Sequence, residues 1–257
     1  MSANDDQALI AAWKAEEQQP FQGWDFSHLN GRWHEDQPSW SYEALVRQLL
    51  PQADSLLDMG TGGGEVLLSF KDALPAHVIA TEGYAPNTPV AQANLNPHGI
   101  EVVFYDCGLD ARLPFSDNDF AVVINRHEAY DAAEVARILQ PGGVFLTQQV
   151  DGRELGEFLA PFGYQSAFLH VNLQNCAREL IDAGLIIERA EAWAGEVTFD
   201  DMGALVYFLH AAIWSAPPDF SVERYADQLL DLYRKRQPLR FTNRRFLLKA
   251  RKPTSVR

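Results

Sequence analysis

Four glycines crowd into five positions of the stretch LLDMGTGGGEVLLSF, residues 56–70. Gly60, Gly62, Gly63 and Gly64 stand where an apolar, strand-like run gives way to helix-forming residues, which predict a helix over residues 63–73. Glycine at such a join removes side chains from the path of a ligand that lies against the backbone. Because dinucleotide, nucleotide and sulfonium cofactors all use a turn of this kind, the turn predicts a ligand site without identifying the ligand.

Three acidic residues narrow the choice of ligand. Asp58, Glu82 and Asp106 each end a predicted strand, and ligands of open α/β sheets bind at that carboxyl edge. Glu82 can accept two hydrogen bonds from vicinal ribose hydroxyls, and Asp106 can accept one from an adenine amine. Asp58, two residues before the first glycine, would stabilise a cation and repel a pyrophosphate. Single acids at strand ends often cap helices or face water, but three around one glycine turn favour a ligand site. The charge of Asp58 favours S-adenosylmethionine over NAD as that ligand.

The elements that must position these residues alternate in type from about residue 51 onwards. Short apolar runs are separated by helical segments, which predicts βαβ units and a parallel sheet with helices on both faces. The five runs read as strands here are DSLLDM, HVIATE, IEVVFYD, DFAVVIN and VFLTQQV. The turn after the first run lacks the Gly-Lys-Ser/Thr ending of a P-loop.

The segments on either side of this alternation predict a lid and a cap. Residues 1–50 contain two predicted helices and a loop-like stretch with Trp24, Trp33 and Trp40, which predicts an aromatic lid. Residues 51–152 are predicted to be the cofactor-binding core. Residues 153–257 are predicted to add a pair of strands to the sheet, with a helical substrate cap inserted at about 200–236.

Composition and charge limit the partners. A formal net charge of −14 argues against nucleic acid and anionic membranes. Two cysteines suit a reducing compartment, and the acidic N-terminus does not resemble a signal peptide. We therefore expect a cytoplasmic protein, monomeric or homodimeric, with a small-molecule substrate and no metal, nucleic-acid or membrane partner.

The motifs resemble those of the class I S-adenosylmethionine-dependent methyltransferases. LLDMGTGGGE is similar to motif I of that family, Asp/Glu-x-Gly-x-Gly-x-Gly, and VIATEGY resembles its second, acidic motif. DARLPFSDNDFAVVINRHEAYDAAEVARILQPGGVFLTQQV is similar to the fourth-strand and L-x-P-G-G region of the small-molecule, type 11-like branch. The resemblance covers about residues 54–150. It implies a Rossmann-like, doubly wound, seven-stranded, mostly parallel sheet with an antiparallel last strand, plus helical cap elements.

The resemblance also implies which residues would hold S-adenosylmethionine. Arg126 would pair with a carboxylate of the cofactor or of the substrate, and Cys107 is equally well explained as a small packing residue. Carried over position by position, the implied cofactor-binding residues are Asp58, Gly60, Thr61, Gly62, Gly64, Glu82, Gly83, Tyr84, Asp106, Cys107, Asn125 and Arg126.

Catalytic and substrate residues follow from the chemistry of methyl transfer. A sulfonium methyl is already reactive, so positioning suffices unless the acceptor must lose a proton. His127 is the candidate base because imidazole titrates near neutrality, with Glu128 and Tyr130 as alternatives, although a loop histidine is often structural.

The candidate acceptor-binding residues lie in the aromatic segments outside the sheet. Trp33, Tyr207 and His210 are the candidates, although aromatic residues of this kind also form ordinary cores. The resemblance implies methyl transfer to an unidentified, small-molecule acceptor. An NAD-dependent oxidoreductase and a non-catalytic S-adenosylmethionine-binding protein are the alternatives.

Overall fold

The strands of the protein form one sheet. The computed structural model describes residues 3–21, 25–110, 112–212, 215–235 and 238–254; Trp24 lies outside them. The eight strands within the described residues are β1 (Trp33–Glu35), β2 (Ser55–Met59), β3 (His77–Glu82), β4 (Glu101–Phe104), β5 (Phe120–Arg126), β6 (Leu139–Val150), β7 (Ile186–Phe199) and β8 (Leu239–Arg251).

The order of these strands is β1-β7-β8-β6-β5-β2-β3-β4. Strands β4, β3, β2, β5 and β6 run parallel to one another, whereas β8 is antiparallel to β6 and β1 is antiparallel to β7. The order in which the chain adds strands reverses at β2: β3 and β4 lie on one side of it, and β5 and β6 lie on the other. Ligands of doubly wound sheets bind at such a switch point.

Helices connect and cover the strands. The helices within the described residues are α1 (Ala3–Glu17), α2 (Tyr42–Leu49), α3 (Glu65–Leu68), α4 (Thr88–Leu95), α5 (Ala132–Ile138), α6 (Gly156–Leu159), α7 (Leu173–Asp182), α8 (Met202–Ala211) and α9 (Ala226–Lys235). Several begin at a side-chain cap: Ser41 accepts from Ala44, Asp131 from Glu134 and Asn172 from Asn175.

The chain divides into two compact units built from non-consecutive segments. The first unit draws on Met1–Pro38, Asp151–His170 and Trp193–Arg244, and the second on Ser39–Val150, Val171–Ala192 and Arg245–Arg257. The second unit holds the parallel strands, and its core consists of inward-facing residues such as Leu57, Phe120 and Phe145. The predicted division into three consecutive domains stays a prediction.

The first unit has its own core, which is rich in aromatic side chains. Phe158, Phe162, Phe199, Tyr207 and Phe241 are buried in it. Aromatic side chains bury large apolar areas and pack in tilted or edge-on pairs, as the rings of Phe158 and Phe241 do at 5.7 Å between centroids.

The structure confirms the Rossmann-like, mostly parallel sheet with an antiparallel last strand, and differs from the prediction in two details. The sheet has eight strands within the described residues instead of seven, because the predicted lid contributes the three-residue strand β1. The helix after the glycine turn is the four-residue α3, much shorter than the 63–73 that the helix-forming residues predict. No helix in the described ranges combines the length and apolarity needed to cross a bilayer.

Candidate active site

The glycine turn follows the most central of the parallel strands. All five residues of β2 are buried, and the backbone N–H groups of Gly60 and Thr61 donate to Thr81 O at 3.0 and 2.9 Å. Gly60 and Gly62 have φ of 71° and 62°, in the left-handed region that favours glycine. The turn therefore passes from β2 to α3 while staying tied to the end of β3.

The glycines of this region serve two different purposes. A Cβ on Gly60 would overlap the Glu128 side chain, so Gly60 makes room for Glu128 beside the end of β5. A Cβ on Gly64 would lie 2.7 Å from Leu95 Cγ, and one on Gly83 would lie 2.8 Å from Tyr105 O. Gly64 and Gly83 are thus needed for close packing inside the second unit, whatever the ligand.

Glu82 ties the glycine turn to the end of β3. Its two carboxylate oxygens accept from Gly62 N at 2.7 Å and from Tyr84 N at 2.8 Å. Its side chain is buried, and burial raises the pKa of this carboxyl. Each oxygen retains a further lone pair, so Glu82 can also accept from the hydroxyls of a ligand.

Four carboxylates, which we call the carboxylate cluster, gather around this turn: Asp58, Glu82, Asp106 and Glu128. Burial, followed by the negative charge of Glu82, raises the pKa of Asp58 to about 6. Burial also raises the pKa of Glu128 to about 7, with the charges of Glu82 and Asp106 adding to the effect. The cluster therefore has a surplus of negative charge that a cation would relieve.

The residues predicted to bind the adenine edge follow β3 and β4. Tyr84 is 52% exposed, and Asp106 Oδ1 accepts from Gly108 N at 2.8 Å, which shapes the loop after β4. Cys107 is partly buried against the core of the second unit, and burial raises the pKa of its thiol. Cys107 therefore carries a protonated thiol, which suits a packing contact.

A set of neutral polar groups, which we call the amide network, follows β5 and β6. Asn125 Oδ1 accepts from Thr147 Oγ1 at 2.9 Å and from Gln149 Nε2 at 2.6 Å, and all three side chains are buried. Gln149 Nε2 also lies 2.9 Å from Glu128 O. Within the described ranges, Asn125 Nδ2 is buried without an acceptor. The network consists of these residues together with Trp40, His127 and Gln148.

His127 joins the amide network through Gln148. Its Nε2 lies 3.0 Å from Gln148 Nε2, while Trp40 Nε1 donates to Gln148 Oε1 at 2.7 Å. The surrounding protein lowers the pKa of His127 well below its ordinary value, through burial first and then the positive charges of Arg245 and Arg126. His127 nevertheless retains exposed surface, and its φ of 64° is a strained conformation for a residue other than glycine.

Residues at the start of α2 approach the end of β5. Arg126 Nη1 lies 3.4 Å from Glu43 Oε1, and its guanidinium lies 5.9 Å from the centre of the Tyr42 ring. Burial, and then the negative charge of Asp58, raises the pKa of Tyr42, so its phenol stays protonated. Arg126 and Tyr42 are therefore close to the methionine side of the predicted cofactor site.

The remaining predicted residues lie elsewhere in their units. Tyr130 packs edge-on against Phe145 at 4.9 Å, and burial raises the pKa of its phenol, so the phenol stays protonated and is not available to accept a proton. In the first unit, Tyr207 is 1% exposed within the aromatic core, and Trp33 packs against Phe208 at 5.7 Å. His210 is exposed on α8. The substrate roles of Trp33, Tyr207 and His210 stay predictions.

Sequence reasoning assigned no role to Thr147, Gln148 and Gln149, and counted Trp40 only as part of a lid. The sequence VFLTQQV could have indicated this polar site, because three polar residues interrupt a run that is otherwise apolar. A buried parallel strand normally reads as continuously hydrophobic, so polar residues at its carboxyl end indicate a polar site.

Comparisons with known proteins agree with this geometry. Residues 56–143 match a family model described as a methyltransferase domain. The chain is 33% identical over 116 residues to the ribosomal protein L11 methyltransferase of one strain of Thermus thermophilus, covering 44% of this chain and 44% of that protein. It is 30% identical over 112 residues to the demethylmenaquinone methyltransferase of a second strain of the same species, covering 40% of this chain and 50% of that protein. The chain thus spans about half the length of the curated relatives it matches.

The fold is also shared with solved structures. A crystal structure described as a putative methyltransferase from Bacillus halodurans has a TM-score of 0.59 and 21% identity, covering 82% of this chain and 97% of that one. The match extends beyond the segment recognised by the family model.

Proposed function

We propose, from the match of residues 56–143 to a family model described as a methyltransferase domain, that this chain transfers a methyl group from S-adenosylmethionine to a small-molecule acceptor. The cofactor supplies a methyl group on a positively charged sulfur. The contribution expected of the protein is to bind the cofactor, place the acceptor in line with that methyl group and keep water away.

The carboxylate cluster is the observation that carries this proposal. Asp58 and Glu128 have raised pKa values because they are buried near other negative charges. A ligand with an ammonium and a sulfonium would remove that repulsion. The residues present therefore fit S-adenosylmethionine.

The turn suits a pyrophosphate poorly, which disfavours the NAD alternative. The Glu65 carboxylate sits at the first turn of α3, against Gly63, where a phosphate would otherwise bind. Helix α3 has only four residues, so its dipole offers little support to an anion. Asp58 adds a further negative charge next to the turn.

The proposed roles follow the position of each residue. Glu82 accepts from the ribose hydroxyls, and Asp106 and Cys107 border the adenine edge beside Tyr84. Asp58 and Asn125 face the methionine part, with Arg126 near its carboxylate. The backbone at Gly60, Thr61 and Gly62 lines the turn, while Gly64 and Gly83 support it.

The acceptor is proposed to be a small molecule because a net charge of −14 disfavours polyanionic partners. Trp33, Tyr207 and His210 are proposed to contribute to its binding. A cytoplasmic location and a monomeric or homodimeric state belong to the same proposal.

Calorimetric titration with S-adenosylmethionine and with NAD tests the cofactor assignment. We expect binding of the first and at least tenfold weaker binding of the second; the reverse order would reject the proposal. Incubation with methyl-labelled cofactor and a metabolite extract then tests catalysis. Label in a new product, with release of S-adenosylhomocysteine, is expected. Cofactor binding without transfer to any extract would favour the non-catalytic alternative.

A further inference from the structure

A chain of three side chains fixes the orientation of His127. Trp40 and Gln148 are both buried, with Trp40 Nε1 2.7 Å from Gln148 Oε1 and Gln148 Nε2 3.0 Å from His127 Nε2. The backbone is held as well, because His127 N donates to Gln148 O at 2.8 Å. The position of the imidazole therefore depends on a tryptophan far away in the sequence.

The hydrogen-bond network assigns the tautomer of His127. An indole N–H can only donate, so the end of Gln148 that faces Trp40 must be its carbonyl oxygen. The other end is then the NH₂ group, which can only donate, so His127 Nε2 must accept with its lone pair. In the neutral imidazole the proton consequently sits on Nδ1.

The charges around His127 agree with a neutral ring. Arg126 on β5 and Arg245 on β8 both face it, and each disfavours a second proton on the imidazole. Within the described ranges, no group accepts a hydrogen bond from His127 Nδ1. His127 as a residue is exposed, so a ligand can approach it.

We propose that His127 donates a hydrogen bond through Nδ1–H to a carboxylate or carbonyl oxygen of a ligand, and that Trp40 and Gln148 are positioning residues that hold it in this tautomer. The inference rests on the proposed methyltransferase function and replaces the role of a base with that of a donor. Such an oxygen belongs either to the methionine carboxylate of the cofactor or to the methyl acceptor.

The tautomer is tested first, on the protein without ligand. Long-range ¹H–¹⁵N correlation of the histidine rings is expected to show His127 protonated at Nδ1. In Trp40→Phe, Gln148 loses the donor that orients its amide, so a population protonated at Nε2 is expected to appear. Trp13→Phe, a buried tryptophan of the first unit, controls for the loss of an indole. Nε2 protonation in the wild type, or no change in Trp40→Phe, would overturn the proposal.

Two ligands then distinguish the sources of the oxygen. S-adenosylhomocysteine carries the amino-acid carboxylate, whereas 5′-methylthioadenosine lacks it. If the cofactor is the source, Trp40→Phe and His127→Ala should weaken the first ligand about tenfold and leave the second unchanged. If the acceptor is the source, both affinities should hold while methyl transfer into the extract falls about tenfold. An equal loss for both ligands, or no loss of binding or transfer, contradicts the proposal.

Substitution of His127 itself separates a donor from a base. Asparagine places an amide nitrogen near the position of Nδ1, whereas glutamine places one near Nε2. We expect His127→Asn to retain several times more binding or transfer than His127→Gln. A base would be lost in both variants. Failure of wild-type protein to bind S-adenosylhomocysteine would count against the proposed function, while the tautomer measurement stands independently of it.

Discussion

The two sides of the candidate site are built on opposite principles. The carboxylate cluster collects like charges at the ends of β2, β3 and β4 and after β5, and burial raises the pKa of Asp58, Glu82 and Glu128. The amide network collects neutral donors and acceptors after β5 and β6 that largely satisfy one another. The cluster consists of carboxylates alone, whereas the donors and acceptors of the network largely pair with one another.

This difference indicates a division of labour. A group of repelling carboxylates costs stability until a cation binds, so its arrangement is explained by a ligand. A satisfied network rigidifies its members and sets the geometry of the groups at its edge. Substitutions in the cluster should therefore change ligand affinity and pH dependence directly, while those at the network should act through the orientation and tautomer of His127.

The largest expected effect comes from Glu82→Ala. This variant removes the two acceptors predicted for the ribose and also releases Gly62 N and Tyr84 N. We expect the binding free energy of S-adenosylmethionine to weaken by roughly 2–4 kcal/mol. Calorimetric titration measures this loss.

Glu101→Ala is the matched control for Glu82→Ala, because it removes the same charge from an exposed position on β4. Its affinity should stay at the wild-type value. An unchanged affinity in Glu82→Ala would exclude Glu82 from the cofactor site. An equal loss of affinity in both variants would show that the loss comes from the change in net charge.

Gly60→Ala tests the contact between the turn and the cluster. Its Cβ would overlap the Glu128 side chain, and its φ of 71° strains any other residue. We expect the free energy of unfolding to fall by roughly 1–3 kcal/mol, with weaker cofactor binding. Chemical denaturation and titration measure the two effects.

Gly99→Ala separates strain from contact in this experiment. Gly99 has a φ of 76°, but nothing lies within 4 Å of the Cβ it would acquire. It should lose less stability than Gly60→Ala and bind cofactor normally. Equal losses in the two variants would mean that the overlap with Glu128 is unimportant.

The carboxylates were accessible to sequence reasoning, and the amide network was not. Asp58, Glu82 and Asp106 end strands that read as continuous apolar runs, and the ends of parallel strands meet at one edge of a sheet. The bond between Gln148 and His127 depends on register, since Arg126 pairs with Gln148 across β5 and β6. The bond to Trp40 joins residues 108 positions apart, and no local pattern encodes it.

The fold shows the same limit. The alternation of strands and helices predicted the parallel sheet, because each strand is long enough to show its own pattern. Strand β1 has only three residues and pairs with the far end of β7, so its pattern could not be distinguished from a loop. A helix was predicted over residues 63–73, but α3 has only four residues. Helix-forming residues give only a weak preference, which tertiary structure overrides.

Glu128→Gln tests the charge of the cluster through pH. The pKa of Glu128 is raised to about 7, so the folded state holds a proton that the unfolded state releases above about pH 4. Stability should therefore fall as the pH rises from about 4 to about 7. Between pH 4 and pH 7, the free energy of unfolding of the variant should fall by less than that of the wild type, with a difference on the order of 2 kcal/mol. Urea unfolding at several pH values across that range measures this difference.

Two comparisons separate the effect of Glu128 from other causes of pH dependence. Glu101→Gln removes an exposed charge and should leave the slope as it is in the wild type. His127 acts in the opposite direction, because its lowered pKa makes stability fall as the pH drops below about 6.5, and this effect persists in both variants. An identical slope in Glu128→Gln and the wild type would show that Glu128 is not a strained member of the cluster.

The smallest effect is expected at the start of α2, which lies next to the network's donor Trp40. Ser41 Oγ accepts from Ala44 N at 3.1 Å, so Ser41→Ala should cost about 1 kcal/mol of unfolding free energy. Ser41→Asn keeps an acceptor and should restore stability. Because this cap lies outside the cluster, cofactor affinity should stay within about twofold of the wild type, whereas the Nδ1–H population of His127 should decrease slightly. A tenfold loss of cofactor affinity at unchanged stability would instead show that the start of α2 contributes to cofactor binding. The proposed separation of roles between the carboxylate cluster and the amide network would then be wrong.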